Sequence, residues 1–297
     1  MKKITITLIV ALLVLLSASC EKQKDTSPDT LNLTGFKGGN AIELVNVKLK
    51  SGKVTSSQAG CYLLGSALYD PVSGGYGYVD CHGFFYLMDP VSGDTLNFFP
   101  VPEFLSQNVI DTLENMLIGQ CNENGTNYVY KINLATGAIE ARNAVDLSRG
   151  ILACTFFYRA PQQEYVLMGA DSTLIVINPG TGEILRTVKA AAAPANGIYI
   201  AADNQLVGVT YDPGPDENFL VTLDAETGLL VKQVQIQEHN DYYACMSSYD
   251  PETRCYILLN PENRVLFIDP LSGEIIESYQ IGFPIQEFKF WRADREP

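Results

Sequence analysis

The chain has 297 residues and a formal net charge of −14 at neutral pH. If residues 1–19 are removed as an export signal, 18 basic side chains remain against 34 acidic ones, a charge of −16. Such a surface repels phosphate backbones, and no basic run offsets it, so we expect no nucleic-acid partner. The length exceeds the usual size of a single hydrophobic core, which favours a repetitive architecture.

The N-terminus has the pattern of a signal peptide. Met1, Lys2 and Lys3 give a basic start, and the apolar run from Ile4 to Leu16 has 13 residues. A run this short is typical of a signal sequence and too short for a membrane span. We therefore interpret residues 1–19 as the signal peptide. Ordinary secretion with cleavage near Ala18 is the alternative.

The small residues Ser17, Ala18 and Ser19 before Cys20 resemble the bacterial lipobox, in which the cysteine thiol is acylated. This resemblance implies lipidation at Cys20 and attachment to a membrane through the acyl chains. The polar residues 20–30 then form a flexible tether. Similarity to lipoprotein sorting rules favours the outer membrane, because Glu21 is not the Asp that retains lipoproteins in the inner one. Whether the protein faces the periplasm or the outside stays open.

The rest of the chain contains a turn pattern that recurs five times. An Asp or Asn opens the turn, Ser or Thr follows, and Gly closes it with a positive φ. The closing glycines lie 44, 45, 46 and 45 residues apart, and a weaker turn precedes the first by 41 residues. They are Gly93, Gly137, Gly182, Gly228 and Gly273, with Gly52 in the weaker turn. The flanks of this turn, such as TLIVIN and EILRTVK, are typical of a β-hairpin.

Each interval between these turns contains two further strand-like segments. Four short strands in about 45 residues are typical of one propeller blade. We therefore predict an all-β fold, a single β-propeller over residues 31–297 with six blades. The segment Pro284–Trp291 supplies one spare strand at the C-terminus, and the first blade lacks one, so the C-terminal strand is expected to close the ring. Seven blades are the alternative, because Asp70–Gly74 repeats the turn out of register.

The segment from Tyr165 to Ala190, YVLMGADSTLIVINPGTGEILRTVKA, resembles the YVTN-type repeat of propeller proteins. This resemblance extends over roughly residues 31–291, and it implies a binding or surface protein without agreed catalytic residues. The turn is also similar to that of quinone-cofactor dehydrogenases, which have a docking tryptophan in nearly every blade. This chain has the single Trp291, so no cofactor is predicted.

Six cysteines follow Cys20, an even number that permits disulfides in an exported protein. Most lie in apolar strand segments, where a free thiol behaves as a small buried hydrophobic group. We therefore expect mostly free thiols. No CxxC spacing occurs, so no metal site is predicted.

The sequence contains no recognisable catalytic motif, and no catalytic residue is predicted. The leading hypothesis is a lipid-anchored, non-enzymatic module that binds an envelope protein or a glycan. The alternative is a periplasmic hydrolase or lactonase with a metal ion in the propeller channel.

A binding site is expected on the face of the propeller where loops join successive blades. The loop from Gln237 to Tyr243 combines polar groups with aromatic rings suited to a sugar or peptide. Its candidate ligand-binding residues are Glu238, His239, Asp241 and Tyr242.

Overall fold

The recurring turns arrange the chain as a series of antiparallel sheets. In the computed structural model, which describes residues 30–38, 42–148, 150–212, 217–236 and 246–293, the regular structure is almost entirely β. The first three strands are β1 (Leu31–Lys37), β2 (Glu43–Lys48) and β3 (Lys53–Gln58). They form most of blade 1 and lack an innermost strand.

Blades 2 to 6 each contain four consecutive strands, and the strands of each blade pair in chain order. Blade 2 has β4 (Leu68–Asp70), β5 (Gly75–Val79), β6 (Phe84–Met88) and β7 (Thr95–Pro100). Blade 3 has β8 (Ser106–Asp111), β9 (Met116–Glu123), β10 (Thr126–Asn133) and β11 (Ile139–Val145). The first strand of each blade is the innermost one and borders the channel.

Blade 4 has β12 (Ile151–Arg159), β13 (Glu164–Gly169), β14 (Thr173–Ile177) and β15 (Ile184–Lys189), with a 3-10 turn at Ala160–Gln162. Blade 5 has β16 (Ala195–Ile200), β17 (Gln205–Asp212), β18 (Glu217–Asp224) and β19 (Leu230–Ile236). Blade 6 has β20 (Ser247–Asp250), β21 (Cys255–Leu259), β22 (Arg264–Ile268) and β23 (Ile275–Gln280).

The last strand, β24 (Gln286–Arg292), pairs antiparallel with β1 and completes blade 1. The prediction of six blades closed by the C-terminal strand is therefore confirmed. The segment Asp70–Gly74 is the turn between β4 and β5, which explains its different register and removes the seventh blade. Several contacts join this strand to blade 6: Arg292 pairs with Asp250 and Glu252, and the Phe290 amide donates to Ser248 Oγ at 3.0 Å.

The core lies in the seams between blades. The buried apolar side chains of the described residues form six clusters, and each cluster combines residues from two neighbouring blades. The tyrosines Tyr76, Tyr165 and Tyr256 are fully buried in three of these seams. Each donates its hydroxyl at 2.7 Å to a backbone carbonyl of the preceding blade, so the polar atom is satisfied.

The recurring turn performs two tasks. Its Asp or Asn side-chain oxygen accepts backbone N–H bonds from the turn, as between Asn178 and Gly180 at 2.9 Å. Its glycine also packs against the fourth strand of the preceding blade. A Cβ at Gly182 would lie 2.5 Å from Cβ of Asn143, whereas one at Gly52 would have no neighbour within 4 Å. The turn therefore fixes the contact between blades as well as the hairpin.

The meander places its connections on two opposite faces. Turns between first and second strands and between third and fourth strands lie on one side, which we name the turn face. Connections between second and third strands and between successive blades lie on the other side, which we name the loop face.

Candidate functional site

The channel opens on the loop face between the first strands of the blades. A small cavity of about 60 Å³ lies there, and we name it the loop-face mouth. Its described lining comes from blades 1, 2, 4, 5 and 6: Gly65, Cys154, Phe156, Gly197, Ile198, Ser247, Glu287 and Lys289.

The backbone is irregular near the start of several of these strands. Glu287, Gln107, Cys154 and Asn196 have left-handed φ values of 55°, 56°, 66° and 55°, and the strand registers of β24, β8, β12 and β16 shift beside them. Gly65 has the same left-handed φ, at 75°, just before β4. A left-handed conformation costs a residue with a side chain about 1–2 kcal/mol, and such conformations concentrate at functional sites.

Glu287 holds the segment that joins blade 1 to blade 2. Its side chain is buried, and its carboxylate accepts the amides of Gly65 at 2.6 Å and Ala67 at 3.3 Å. Burial raises the pKa of Glu287 to about 7, although Lys289 and the two amides act in the opposite direction. The carboxyl group of Glu287, in the strand that closes the ring, therefore titrates near neutral pH.

Lys289 lies two residues further along β24, lines the same cavity as Glu287 and is partly exposed. Burial lowers its pKa, and the nearby Glu287 carboxylate raises it in part. Among the described residues Lys289 forms no salt bridge or hydrogen bond. The mouth thus presents an amino group that has no salt-bridge or hydrogen-bond partner among the described residues.

Two exposed apolar side chains lie in the connections that lead into blades 2 and 3. Leu64 and Phe104 are 59% and 56% exposed. Their segments are joined, because the Gln107 amide donates to the Gly65 carbonyl at 2.6 Å. A second cavity of about 350 Å³ opens on the same face between blades 6 and 1, lined in part by Asn260 and Gln286.

The turn face has a different cavity, of about 180 Å³, which we name the aromatic cleft. It lies at the ends of the first strands of blades 6, 1 and 2, and its lining is Tyr69, Pro71, Tyr249, Asp250, Pro251, Phe290, Trp291 and Arg292. The rings of Tyr69 and Trp291 are nearly parallel, 11° apart, with centroids separated by 6.4 Å. Trp291 Nε1 donates to Thr34 Oγ1 at 2.8 Å, which fixes the indole ring.

The predicted site residues are placed as follows. Cys20, Glu238, His239, Asp241 and Tyr242 lie outside the described residues, so lipidation and ligand binding there stay predictions. Sequence reasoning missed Glu287 and Lys289, since the segment PIQEFKFW by itself indicates only a closing strand. The signal was present: charged residues alternate with Phe288 and Phe290 in the strand predicted to close the ring.

The expectation of mostly free thiols was wrong for the cysteines that the structure describes. Cys61 and Cys81 form a disulfide, with Cα atoms 5.6 Å apart, and Cys154 is also disulfide-bonded. Cys121 and Cys255 are free and buried. The apolar flanks did not reveal the pairing because Cys61 lies in the irregular segment 59–67, which passes beside the turn that carries Cys81.

Only one group of described residues places three potential metal ligands together: Cys61, Cys81 and His82. The two sulfurs are bonded to each other, so they are not available as thiolate ligands. Within the described residues, no helix has the length and hydropathy that a membrane span needs.

The double substitution Cys61→Ser and Cys81→Ser is expected to lower the free energy of unfolding by about 3 kcal/mol. The disulfide links two cysteines that are 20 residues apart, so it lowers the conformational entropy of the unfolded chain. Its removal makes the unfolded state more favourable. Urea unfolding of the oxidised proteins measures the difference, and the second disulfide at Cys154 is present in both. An unchanged midpoint and slope would contradict a stabilising role.

The sequence matches no protein-family model and no curated protein sequence. The fold is similar to several solved propellers at low sequence identity. TolB from Acinetobacter baumannii aligns with a TM-score of 0.65 and 12% identity, over 88% of this chain and 66% of that one. The WD40 domain of Toxoplasma gondii coronin aligns at 0.55 and 10%, over 86% and 70%. The Cps50 (Swd1) propeller of Myceliophteria thermophila aligns at 0.56 and 10%, over 84% of each chain. These similarities support the propeller fold.

Proposed function

We propose that the chain is a lipoprotein of the bacterial outer membrane, acylated at Cys20, that binds another envelope protein through the loop-face mouth. The observation that carries the binding role is Lys289, whose partly exposed amino group has no direct partner among the described residues and lies on the same face as the exposed side chains of Leu64 and Phe104. An acidic side chain or a C-terminal carboxylate of the partner would pair with it, and the partner's apolar groups would cover Leu64 and Phe104.

The composition of the turn repeats supports a scaffold without catalysis. The turn residues Asp89, Asp224 and Asp269 use their carboxylates to accept turn amides, so they position backbone. The described lining of the loop-face mouth contains one carboxylate, Glu287, and its two oxygens already accept amides. We therefore favour binding over the alternative of a metal-dependent hydrolase. Glu238, His239, Asp241 and Tyr242 belong to the connection between blades 5 and 6 and are proposed to enlarge the same binding face.

Cross-linking in intact membranes, followed by mild detergent extraction and mass spectrometry, tests this proposal. With Lys289→Met the recovery of the partner is expected to fall about tenfold, the loss typical of a central binding residue. Lys232→Met is the matched control, because Lys232 is exposed on the outermost strand of blade 5. Equal recovery with both variants would remove the loop-face mouth as the binding site. Recovery of no partner by the unmodified protein would remove the binding role.

A further inference from the structure

The chain enters the propeller on the turn face. Leu31, the first residue of β1, pairs with Arg292 at the end of β24, and both lie at the turn-face end of blade 1. The Ala293 amide donates to the Thr30 carbonyl at 2.9 Å, so Thr30 is fixed beside the aromatic cleft. An N-terminal anchor therefore pulls on the turn face and not on the loop face.

The length of the tether limits how far the turn face can move from the bilayer. Nine residues, 21–29, lie between the lipidated cysteine of the proposed function and Thr30. Fully extended, the chain from Cys20 to Thr30 spans at most about 36 Å. The first strands add their own length between the two faces, so the turn face is the one held close to the bilayer.

The turn face carries exposed aliphatic side chains at its turn tips. Among the described residues five such tips are more than half exposed: Val72 at 66%, Val91 at 54%, Leu113 at 72%, Leu229 at 65% and Leu271 at 65%. They belong to blades 2 and 3 on one side of blade 1 and to blades 5 and 6 on the other. The apolar tips thus form an arc that is centred on the point where the chain enters.

The middle of this arc has the side chains found at membrane interfaces. Trp291, Tyr69 and Tyr249 line the aromatic cleft, and amphipathic rings of this kind prefer the headgroup region. Lys50 and Lys53, in and beside the exposed turn of blade 1, can approach lipid phosphates. A face with apolar tips, aromatic rings and nearby cations fits a bilayer surface.

We infer that the turn face is a membrane-docking surface on which the propeller rests, with its five aliphatic tips and Trp291 in the headgroup region. This inference depends on the proposed lipid anchor at Cys20, because tips of this size bind weakly without it. Docking leaves the loop-face mouth directed away from the membrane and accessible to a protein partner. It also gives the aromatic cleft a role as a contact with lipid headgroups.

The charges on this face indicate which lipids it prefers. Glu252, Glu114, Asp203 and Glu226 are each paired with a basic side chain. Asp94, Glu183 and Glu274, beside the recurring turns, are exposed and form no salt bridge among the described residues. These carboxylates oppose an anionic bilayer, whereas a zwitterionic headgroup offers both charges. Docking is therefore expected on phosphatidylethanolamine and to weaken as phosphatidylglycerol is added.

Quenching of the single tryptophan tests the inference. The purified, acylated full-length protein is inserted into phosphatidylethanolamine and phosphatidylcholine vesicles, with part of the phosphatidylcholine brominated near the headgroup. Trp291 emission is expected to fall relative to vesicles without bromine. The double substitution Leu113→Asp and Leu271→Asp, on either side of the cleft, is expected to remove most of this quenching. Leu64→Asp with Phe104→Asp is the control on the loop face and is expected to leave it unchanged.

Two readouts separate the inference from the proposed function. Mass spectrometry of the N-terminal peptide shows whether Cys20 is acylated. A Cys20 without acyl chains would overturn both the proposed anchor and the docking inference. An acylated protein that floats with the vesicles but shows equal Trp291 emission with and without bromine would overturn docking alone. Quenching that persists in the Leu113→Asp and Leu271→Asp variant would also overturn it.

Discussion

Gly182→Ala is expected to lower the free energy of unfolding by about 2–4 kcal/mol, because two costs combine at this turn. The residue has φ of +75°, which an alanine adopts only with strain. The added Cβ would lie 2.5 Å from Cβ of Asn143 and 3.1 Å from the Ala144 carbonyl oxygen, both in blade 3. The turn must then move away from its neighbour and open the seam between blades 3 and 4.

Gly52→Ala separates these two costs. Gly52 closes the equivalent turn of blade 1 with φ of +67°, and its Cβ would meet no atom within 4 Å. Its substitution is expected to cost only the backbone term of about 1 kcal/mol. Urea denaturation of both variants gives the comparison. Equal losses would show that the recurring glycine serves the hairpin alone and does not fix the contact between blades.

Glu287→Ala is expected to lower the free energy of unfolding by about 3 kcal/mol, because it leaves the amides of Gly65 and Ala67 without an acceptor in a buried site. The loss also loosens the segment that connects blade 1 to blade 2. Glu287→Gln keeps one acceptor oxygen for the shorter bond from Gly65 and loses the acceptor of the longer bond from Ala67. It is therefore expected to cost only about 1 kcal/mol, and the comparison with Glu287→Ala separates the hydrogen bonds from the charge.

The raised pKa of Glu287 also predicts that the free energy of unfolding depends on pH. The folded-state pKa of Glu287, about 7, is raised from an unfolded value of 4.5, so the folded protein retains a proton that the unfolded chain releases. Its contribution to stability is therefore complete below pH 4.5 and is lost as pH rises through 7, by roughly 3 kcal/mol for a shift of this size. Lys289, whose pKa is lowered, opposes this trend where it titrates.

Glu287→Gln is expected to flatten the stability profile between pH 4.5 and pH 7 and to be at least as stable as the unmodified protein above about pH 7.5. Thermal unfolding at a series of pH values measures the profile. Tyr62 and Tyr76, whose pKa values are raised by burial and by Glu287, stay protonated throughout this window. Parallel profiles for the two proteins would mean that Glu287 does not titrate in this range.

The architecture could be predicted because its determinants are local and repeated. A turn that needs a left-handed glycine at a fixed position identifies itself in the sequence, and the spacing of Gly93, Gly137 and Gly182 counts blades directly. The closing strand followed from the unequal strand counts of the first and last segments. The docking of these glycines against the previous blade could not be predicted, since it depends on a neighbour about 40 residues away.

The candidate site was less accessible to sequence reasoning. The charges of Glu287 and Lys289 were visible, but their burial and the contact of Glu287 with Gly65 arise only when the ring closes. The disulfide between Cys61 and Cys81 was missed for the same reason, because an irregular segment crosses over a turn in blade 2. Residues that act across blades leave little periodic signal, whereas residues that build one blade leave a strong one.

Ring closure by β24 also determines when the protein can fold. Blade 1 receives its innermost strand from β24, which follows all the other strands along the chain, so no closed ring can form until β24 has been synthesised. Until then β1 keeps a bare edge, which is open to pairing with another chain. The chain is therefore most open to misassembly in the interval before β24 pairs, and a chaperone that covers the edge of β1 would act in that interval.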